Sequence, residues 1–225
     1  MFSTACRKIR EATYFVRGSS VGGTSSDGTA FMIAPGILAT VGHVLYKNEK
    51  DSSSFQDNIR VMRAPEIKIV GGSTMEIATV IGVEPEYDIG LLKIQNPRDT
   101  TCVAFMADPP PIGTNVGALG FPLISMPDMR VPVPRFQGGY ISAHYSLKGV
   151  PSGRELLHYE TDVPMFKSSS GSPGFLIDGR VFGLHAKEWH DGKDEKHPGQ
   201  RAFSVWVPIS EIIAFAKGKK IDIGS

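Results

Sequence analysis

Short apolar runs recur along this chain, and glycine, proline or small polar residues break each of them within a few positions. Gly28-Thr29-Ala30-Phe31-Met32-Ile33 and Gly36-Ile37-Leu38-Ala39-Thr40-Val41 are typical. Such runs are too short for helices, and their β-branched and aromatic content suits strands. Turn signals separate them, among them Asp27-Gly28 and Pro35-Gly36. The pattern predicts strands over 13–17, 28–34, 36–41, 59–63, 67–70, 75–83 and 89–94. A second set is predicted over 115–120, 131–138, 140–144, 156–159, 174–177, 180–185 and 202–207. Between the sets, residues 107–113 read Ala-Asp-Pro-Pro-Pro-Ile-Gly, a stiff linker that cannot enter a central sheet. Residues 5–12 suit a short amphipathic helix, and apolar positions 209, 212, 213 and 215 suit a closing one. The polar stretch 189–200 is expected to be a mobile surface loop. The predicted class is all-β: two packed six-stranded antiparallel barrels, one within 1–106 and one within 114–225, and a short C-terminal helix.

A chain of 225 residues can bury two small barrel cores, and its 25 glycines and 16 prolines fit many tight turns. The formal net charge is only +1, so no large field exists to gather nucleic acid or an anionic membrane, and neither is expected as a partner. Cys6 and Cys102 are the two cysteines, too few for the disulfide framework of a small secreted protein. No apolar run approaches the roughly 18 residues of a spanning helix, and the N-terminal decapeptide has no secretory-type stretch. A cytoplasmic location is expected, with export left open for a form whose signal has been removed.

Three residues carry candidate chemistry. His43 lies in Ala39-Thr40-Val41-Gly42-His43-Val44, Asp88 in Tyr87-Asp88-Ile89-Gly90-Leu91-Leu92, and Ser170 in Lys167-Ser168-Ser169-Ser170-Gly171-Ser172-Pro173. A hydroxyl is a poor nucleophile at neutral pH. It needs an imidazole to take its proton and a carboxylate to hold that imidazole. Histidine, aspartate and serine in this order supply all three. Glu84 and Glu86 are rivals to Asp88 for the carboxylate.

In these residues the chain resembles the trypsin-like serine peptidases with a chymotrypsin-type double barrel. It looks most like the disulfide-poor branch typified by the HtrA/Deg proteases and the glutamyl endopeptidases. The strand into His43, the segment Glu84-Pro85-Glu86-Tyr87-Asp88-Ile89-Gly90-Leu91, and Gly117-Ala118-Leu119-Gly120-Phe121-Pro122 all match that branch. So do Gly138-Gly139-Tyr140-Ile141-Ser142-Ala143 and Thr161-Asp162 ahead of Ser170. The similarity spans roughly residues 13–217.

The resemblance implies a serine endopeptidase with His43, Asp88 and Ser170 as its triad. It implies an oxyanion hole from backbone groups of Ser168, Ser169 and Ser170. No cofactor and no metal is implied, because the spacing of His185, His190 and His197 matches no compact ligand signature. The sequence departs from the family at Ser168, where relatives carry glycine, so the hole is expected to be strained or collapsed at rest. Ser169 replaces the aspartate of zymogen-activated relatives, and activation by N-terminal clipping is not expected.

For substrate binding the resemblance points to Met165, Phe166, His185, Ala186 and Lys187. His185 falls where relatives that read glutamate or glutamine before the scissile bond carry a histidine. Met165 and Phe166 suit an apolar pocket instead, and Pro164 excludes a trypsin-like preference for Arg or Lys. The plain readings are a core histidine at 185 and a solvated charge at 187. The expected partner is a polypeptide substrate, with an activating protein or a homo-oligomer left open. The alternative function is a catalytically silent or partner-activated peptide-binding module on the same fold.

Overall fold

A computed structural model describes residues 1–21, 25–48, 51–67, 74–122, 132–190 and 202–223. The first half contains helix α1 (Ser3–Glu11) and strands β1 (Thr13–Ser19), β2 (Ser25–Ala34), β3 (Ile37–Val41), β4 (Tyr46–Asn48), β5 (Asp51–Phe55), β6 (Asn58–Arg63), β7 (Glu76–Glu84) and β8 (Ile89–Ile94). Six of these close into an antiparallel barrel in the order β1-β2-β3-β8-β7-β6, while β4 and β5 form a separate hairpin. Then come β9 (Ala104–Phe105), β10 (Asn115–Gly120), β11 (Arg135–Lys148), β12 (Glu155–Thr161), β13 (Pro173–Leu176), β14 (Arg180–His190), β15 (Ala202–Pro208) and helix α2 (Ile209–Gly218). Their sheet runs β13-β10-β11-β12-β15-β14, and pairing of β13 with β14 closes it into a second six-stranded barrel. The expected all-β architecture of two six-stranded antiparallel barrels with a C-terminal helix is therefore the observed one. Closure leaves no barrel edge to be covered.

The barrels share packing. One continuous core runs from Ile9 of α1 through Phe31, Leu38 and Leu91 to Leu184, Val207 and Ile212 of the second half. A second cluster, around Trp206, Phe182 and Val116, fills the second barrel. Phe15 meets Phe121 edge to face at 5.6 Å across the seam. The two halves thus form a continuous support for groups that lie between them.

Several local expectations need correction. The predicted strands 131–138 and 140–144 merge from Arg135 on into one strand, β11, running through Gly138 and Gly139; residues 132–134 are not strand, and 131 lies outside the described residues. Gly139 serves close packing instead of a turn: a Cβ there would lie 2.3 Å from Asp162 Oδ1. The predicted strand at 67–70 is not seen at its first residue, because Ile67 ends a 3-10 turn over Ala64–Glu66; the remainder lies outside the described residues. The β4–β5 hairpin was invisible in a polar sequence and is anchored by Tyr46 stacking on Phe55 at 5.8 Å. Residues 189 and 190 belong to β14, not to a loop, and 191–200 lie outside the described residues. Ala104–Phe105, placed by sequence with the first barrel, pairs in parallel with Arg180–Val181 of the second. In β4–β5, β9 and the end of β14, ladder hydrogen bonds satisfied the backbone regardless of side-chain polarity.

Candidate active site

The pairing of β3 with β8 brings His43 to Asp88. The register sets Val41 opposite Ile89, so the residues just beyond, Gly42 and Asp88, face each other. Gly42 N–H donates to the Asp88 carbonyl at 2.8 Å. His43 N–H donates to Asp88 Oδ1 at 2.8 Å, and His43 Nδ1 bonds Asp88 Oδ2 at 2.5 Å. The carboxylate therefore grips both the backbone and the ring of one residue, which fixes the position and the tautomer of the imidazole. Asp88 has φ +59°, a left-handed conformation that aspartate tolerates better than most residues. Gly42 is required by proximity, since a Cβ there would lie 2.7 Å from Asp88 Oδ1. The rivals are engaged elsewhere. Glu84 accepts from Tyr87 N–H at 2.7 Å, and Glu86 accepts from the Ser152 N–H and hydroxyl at 2.8 and 2.7 Å.

Ser170 is placed by its backbone. It lies on the loop between β12 and β13, and its carbonyl accepts from Thr29 N–H of β2 at 2.8 Å, a bond between the two barrels. Upstream, Ser169 N–H donates to the Phe166 carbonyl at 2.9 Å, closing a four-residue turn. Ser168, its third residue, has φ +69°. Positive φ at that position alone defines a type II turn. The strain expected for a serine in the place of glycine is therefore present.

The Ser168 carbonyl accepts from Thr29 Oγ1 at 3.3 Å, and the Ser169 carbonyl accepts from Ser172 N–H at 3.0 Å and Ser172 Oγ at 2.6 Å. Gly171 N–H donates to the His185 carbonyl at 2.8 Å. Among the described residues, the amides of Ser168 and Ser170 donate to no protein acceptor. Backbone donors in such a setting are normally paired; these two, on either side of the Ser169 amide, are open to an acceptor from outside the chain.

The expected binding residues separate into two groups. Phe166 and Lys187 are exposed, whereas Met165, His185 and Ala186 are buried. Met165 packs with Trp206, Val163 and Ile141. His185 is 1% exposed, stands edge-on to Trp206 at 5.2 Å, and neither ring nitrogen completes a hydrogen bond. Burial pushes its pKa down to about 3; His43 adds to the effect, and backbone groups of Ser169 and Lys187 oppose it. The same burial lowers the pKa of His158. A cleft of about 550 Å³ opens beside the pair, lined by His43, Asp88, Tyr87, His158, Ala186 and Lys187.

This burial has a pH consequence. An unfolded histidine titrates near 6.5. Between that value and about 3, the unfolded chain takes up a proton that folded His185 refuses. Stability should therefore fall as pH drops below about 6.5, before carboxylates titrate. Urea midpoints at pH 7.0 and 5.2 check this: a clear fall is expected in the native protein and a flatter response in His185→Gln.

Sequence reading missed the supports of the site. Thr29, Thr40 and Ser172 are fully buried and bonded to the Ser170 loop or to one another. Tyr87 and His158 line the cleft. Nothing in their local patterns distinguishes them, because the partners are distant in sequence; the apolar frame around Thr29 was the only hint.

A family model described as the trypsin-like peptidase domain matches residues 28–184. No curated protein sequence matches the chain. Among solved structures, the protein is similar to the Rv3671c protease from M. tuberculosis in its active form, with a TM-score of 0.74 and 18% identity over 98% of this chain and 85% of that one. The inactive form of that protease gives a TM-score of 0.70 at 17% identity over 99% and 93%. The serine endoprotease from Yersinia pestis gives 0.71 at 17% identity over 97% of this chain and 66% of that one. At these identities the likeness is one of fold, whereas the family match covers more than half of the chain and includes His43, Asp88 and Ser170. The chain belongs to the trypsin-like peptidase family, and its class of activity is that of a serine endopeptidase.

Proposed function

We propose that the protein cleaves polypeptides through an acyl-enzyme on Ser170, with His43 and Asp88 completing the triad. The hold of Asp88 on both the backbone and the ring of His43 carries this reading. Ser170 Oγ attacks the scissile carbonyl while His43 Nε2 takes its proton, and Asp88 stabilises the imidazolium that forms. The amides of Ser168 and Ser170, free of protein acceptors, receive the developing oxyanion. His43 then protonates the leaving amine; in the second half it takes a proton from water, which attacks the acyl carbonyl, and returns that proton to Ser170 Oγ as the ester bond breaks. A fluorophosphonate probe with intact-mass readout, beside Ser170→Ala, tests the reading. One adduct per chain that disappears in the variant is expected. A folded protein that takes no label would instead be a silent or partner-activated peptide-binding module.

The αL serine in the oxyanion turn is what favours that second reading. A serine there costs on the order of 1 kcal/mol relative to glycine. Ser168→Gly should therefore label as fast as the native protein or faster. A large loss of labelling rate would give the serine side chain a role of its own.

We further propose that the residue before the scissile bond reaches His185. Its buried ring, near backbone groups of Ser169 and Lys187 but completing no hydrogen bond with them, suits a side chain that brings its own polar atom. An imidazole held neutral can hydrogen-bond an amide, but it offers no charge to offset a buried carboxylate. Glutamine should thus be preferred to glutamate, with an apolar residue next to Met165 and Phe166 as the competing choice. The substrate would lie extended beside β14, where the ladder to β13 ends at Leu184. Profiling His185→Ala against a peptide library checks the pocket: the glutamine preference should collapse, and an unchanged profile would remove His185 from it.

A further inference from the structure

The amides of Ser168 and Ser170 can serve an oxyanion only if their peptide planes are held still, and the protein supplies the holders from outside the triad. We propose that the buried hydroxyls of Ser172 and Thr29 are positioning residues for these donors. This rests on the reading that the two amides face the oxyanion.

A trans peptide points its C=O and N–H in opposite directions, so fixing one fixes the other. The Ser169–Ser170 peptide is held at its carbonyl end twice, by Ser172 N–H at 3.0 Å and Ser172 Oγ at 2.6 Å. Its opposite end is the Ser170 N–H, which has no protein acceptor. The neighbouring planes obey the same geometry. The Ser170 carbonyl is held by Thr29 N–H, and the other end of that peptide, Gly171 N–H, reaches His185. The Ser168 carbonyl is held by Thr29 Oγ1, and the other end of that peptide, Ser169 N–H, closes the type II turn on Phe166. Ser168 N–H belongs to the preceding Lys167–Ser168 peptide in the middle of that turn, so Thr29 acts on it through the turn that it anchors and not through its own plane.

Both hydroxyls sit in prepared seats. Thr29 Oγ1 also accepts Phe121 N–H at 3.1 Å, so the hydroxyl uses its one proton on Ser168 and one lone pair on Phe121. Its carbonyl accepts from Thr40 Oγ1 at 2.7 Å. The seat of Ser172 exists because residue 120 is glycine: a Cβ there would fall 1.9 Å from Ser172 Oγ. Thr29, Thr40 and Ser172 are each 0% exposed, so solvent cannot substitute for a missing hydroxyl. Thr29 belongs to the first barrel and Ser172 to the second. The donors are thus set by both halves of the fold.

The test uses the full chain and the saturable inactivation of the protein by a fluorophosphonate, whose phosphoryl oxygen takes the oxyanion's place. Native protein is compared with Ser172→Ala, Thr29→Val and Thr29→Ser. The maximal inactivation rate should fall about tenfold in Ser172→Ala and in Thr29→Val, the effect of losing roughly one buried hydrogen bond's support in the transition state. The half-saturating probe concentration should stay within about twofold, since ground-state binding is untouched. The pH midpoint of inactivation, which reports His43, should not move, and Thr29→Ser should restore the rate. If Thr29→Val does not fold, Thr29→Ser and Ser172→Ala decide the matter, because Ser169 keeps its bond to the residue 172 amide. An unchanged maximal rate in Ser172→Ala, or a serine at 29 no better than valine, overturns the proposal while leaving the triad standing. A shift in the pH midpoint equal to the rate loss also overturns it, by assigning the effect to His43. Native protein that takes no label sinks the catalytic reading itself, and this proposal with it.

Discussion

Ser170→Ala should lower kcat/KM by on the order of 10⁴-fold or more while leaving the protein as stable as the native chain. The expected loss is this large because the hydroxyl is the only group proposed to form the covalent intermediate; the remaining donors can bind a transition state but cannot make that bond. The expected stability follows from how the loop is held. Its bonds run through the Ser168, Ser169 and Ser170 carbonyls and the Ser169 and Gly171 amides, and the Ser170 hydroxyl takes part in none of them. Removing one partly exposed oxygen therefore deletes no support. Peptide turnover and a thermal melt on the same preparation check both halves. Residual turnover near the native level would dismiss Ser170 as nucleophile, and a large drop in melting temperature would mean that the hydroxyl holds the loop.

Gly171→Ala should have the opposite profile, losing activity because the loop cannot form. Gly171 has φ +88°, and an added Cβ would lie 1.9 Å from the Thr29 carbonyl oxygen and 2.7 Å from Thr40 Oγ1. Both obstacles belong to buried residues of the first barrel, and the nearer is backbone. The loop would have to retreat from β2, breaking the Thr29-to-Ser170 and Gly171-to-His185 bonds. The combined clash, strain and lost hydrogen bonds should cost on the order of 3–5 kcal/mol. Gly113 provides the control: its φ is +85°, yet a Cβ there would meet nothing within 4 Å. Gly113→Ala should cost only about 1 kcal/mol, the backbone strain by itself. Urea denaturation of both variants separates the two contributions, and equal costs would show that packing against Thr29 does not govern residue 171.

The framework was legible because its signals are local. Ile89–Ile94 and Asn115–Gly120 begin and end where the apolar runs do, since barrel strands with a buried face carry their pattern in their own residues. The triad candidates were legible for the same reason, each standing in a short frame of its own. The β4–β5 hairpin and the two-residue β9 were not, because backbone pairing with a distant strand stabilises them and leaves no periodicity. Nor did the residues around 138 and 139 announce a continuous strand, since glycine signals a turn and a close contact equally well.

The site divides along the same line. The sequence alone determined which side chains are chemically able to act and in what order they occur: a histidine after one apolar strand, an aspartate before another, a serine in a Ser-Gly-Ser-Pro segment. Only the tertiary structure shows which carboxylate lies against His43: pairing of β3 with β8 sets Asp88 there, while its rivals Glu84 and Glu86 accept from other backbone groups. It decided that His185 is buried and its pKa pushed down, a property of what surrounds the ring and not of the ring. It also decided that Thr29 governs the loop around Ser170 from 139 positions away from the Ser168 carbonyl it binds. Composition and periodicity report what a segment prefers by itself. Hydrogen bonds across the barrel seam, and the burial that gives them their strength, exist only once the two halves have met.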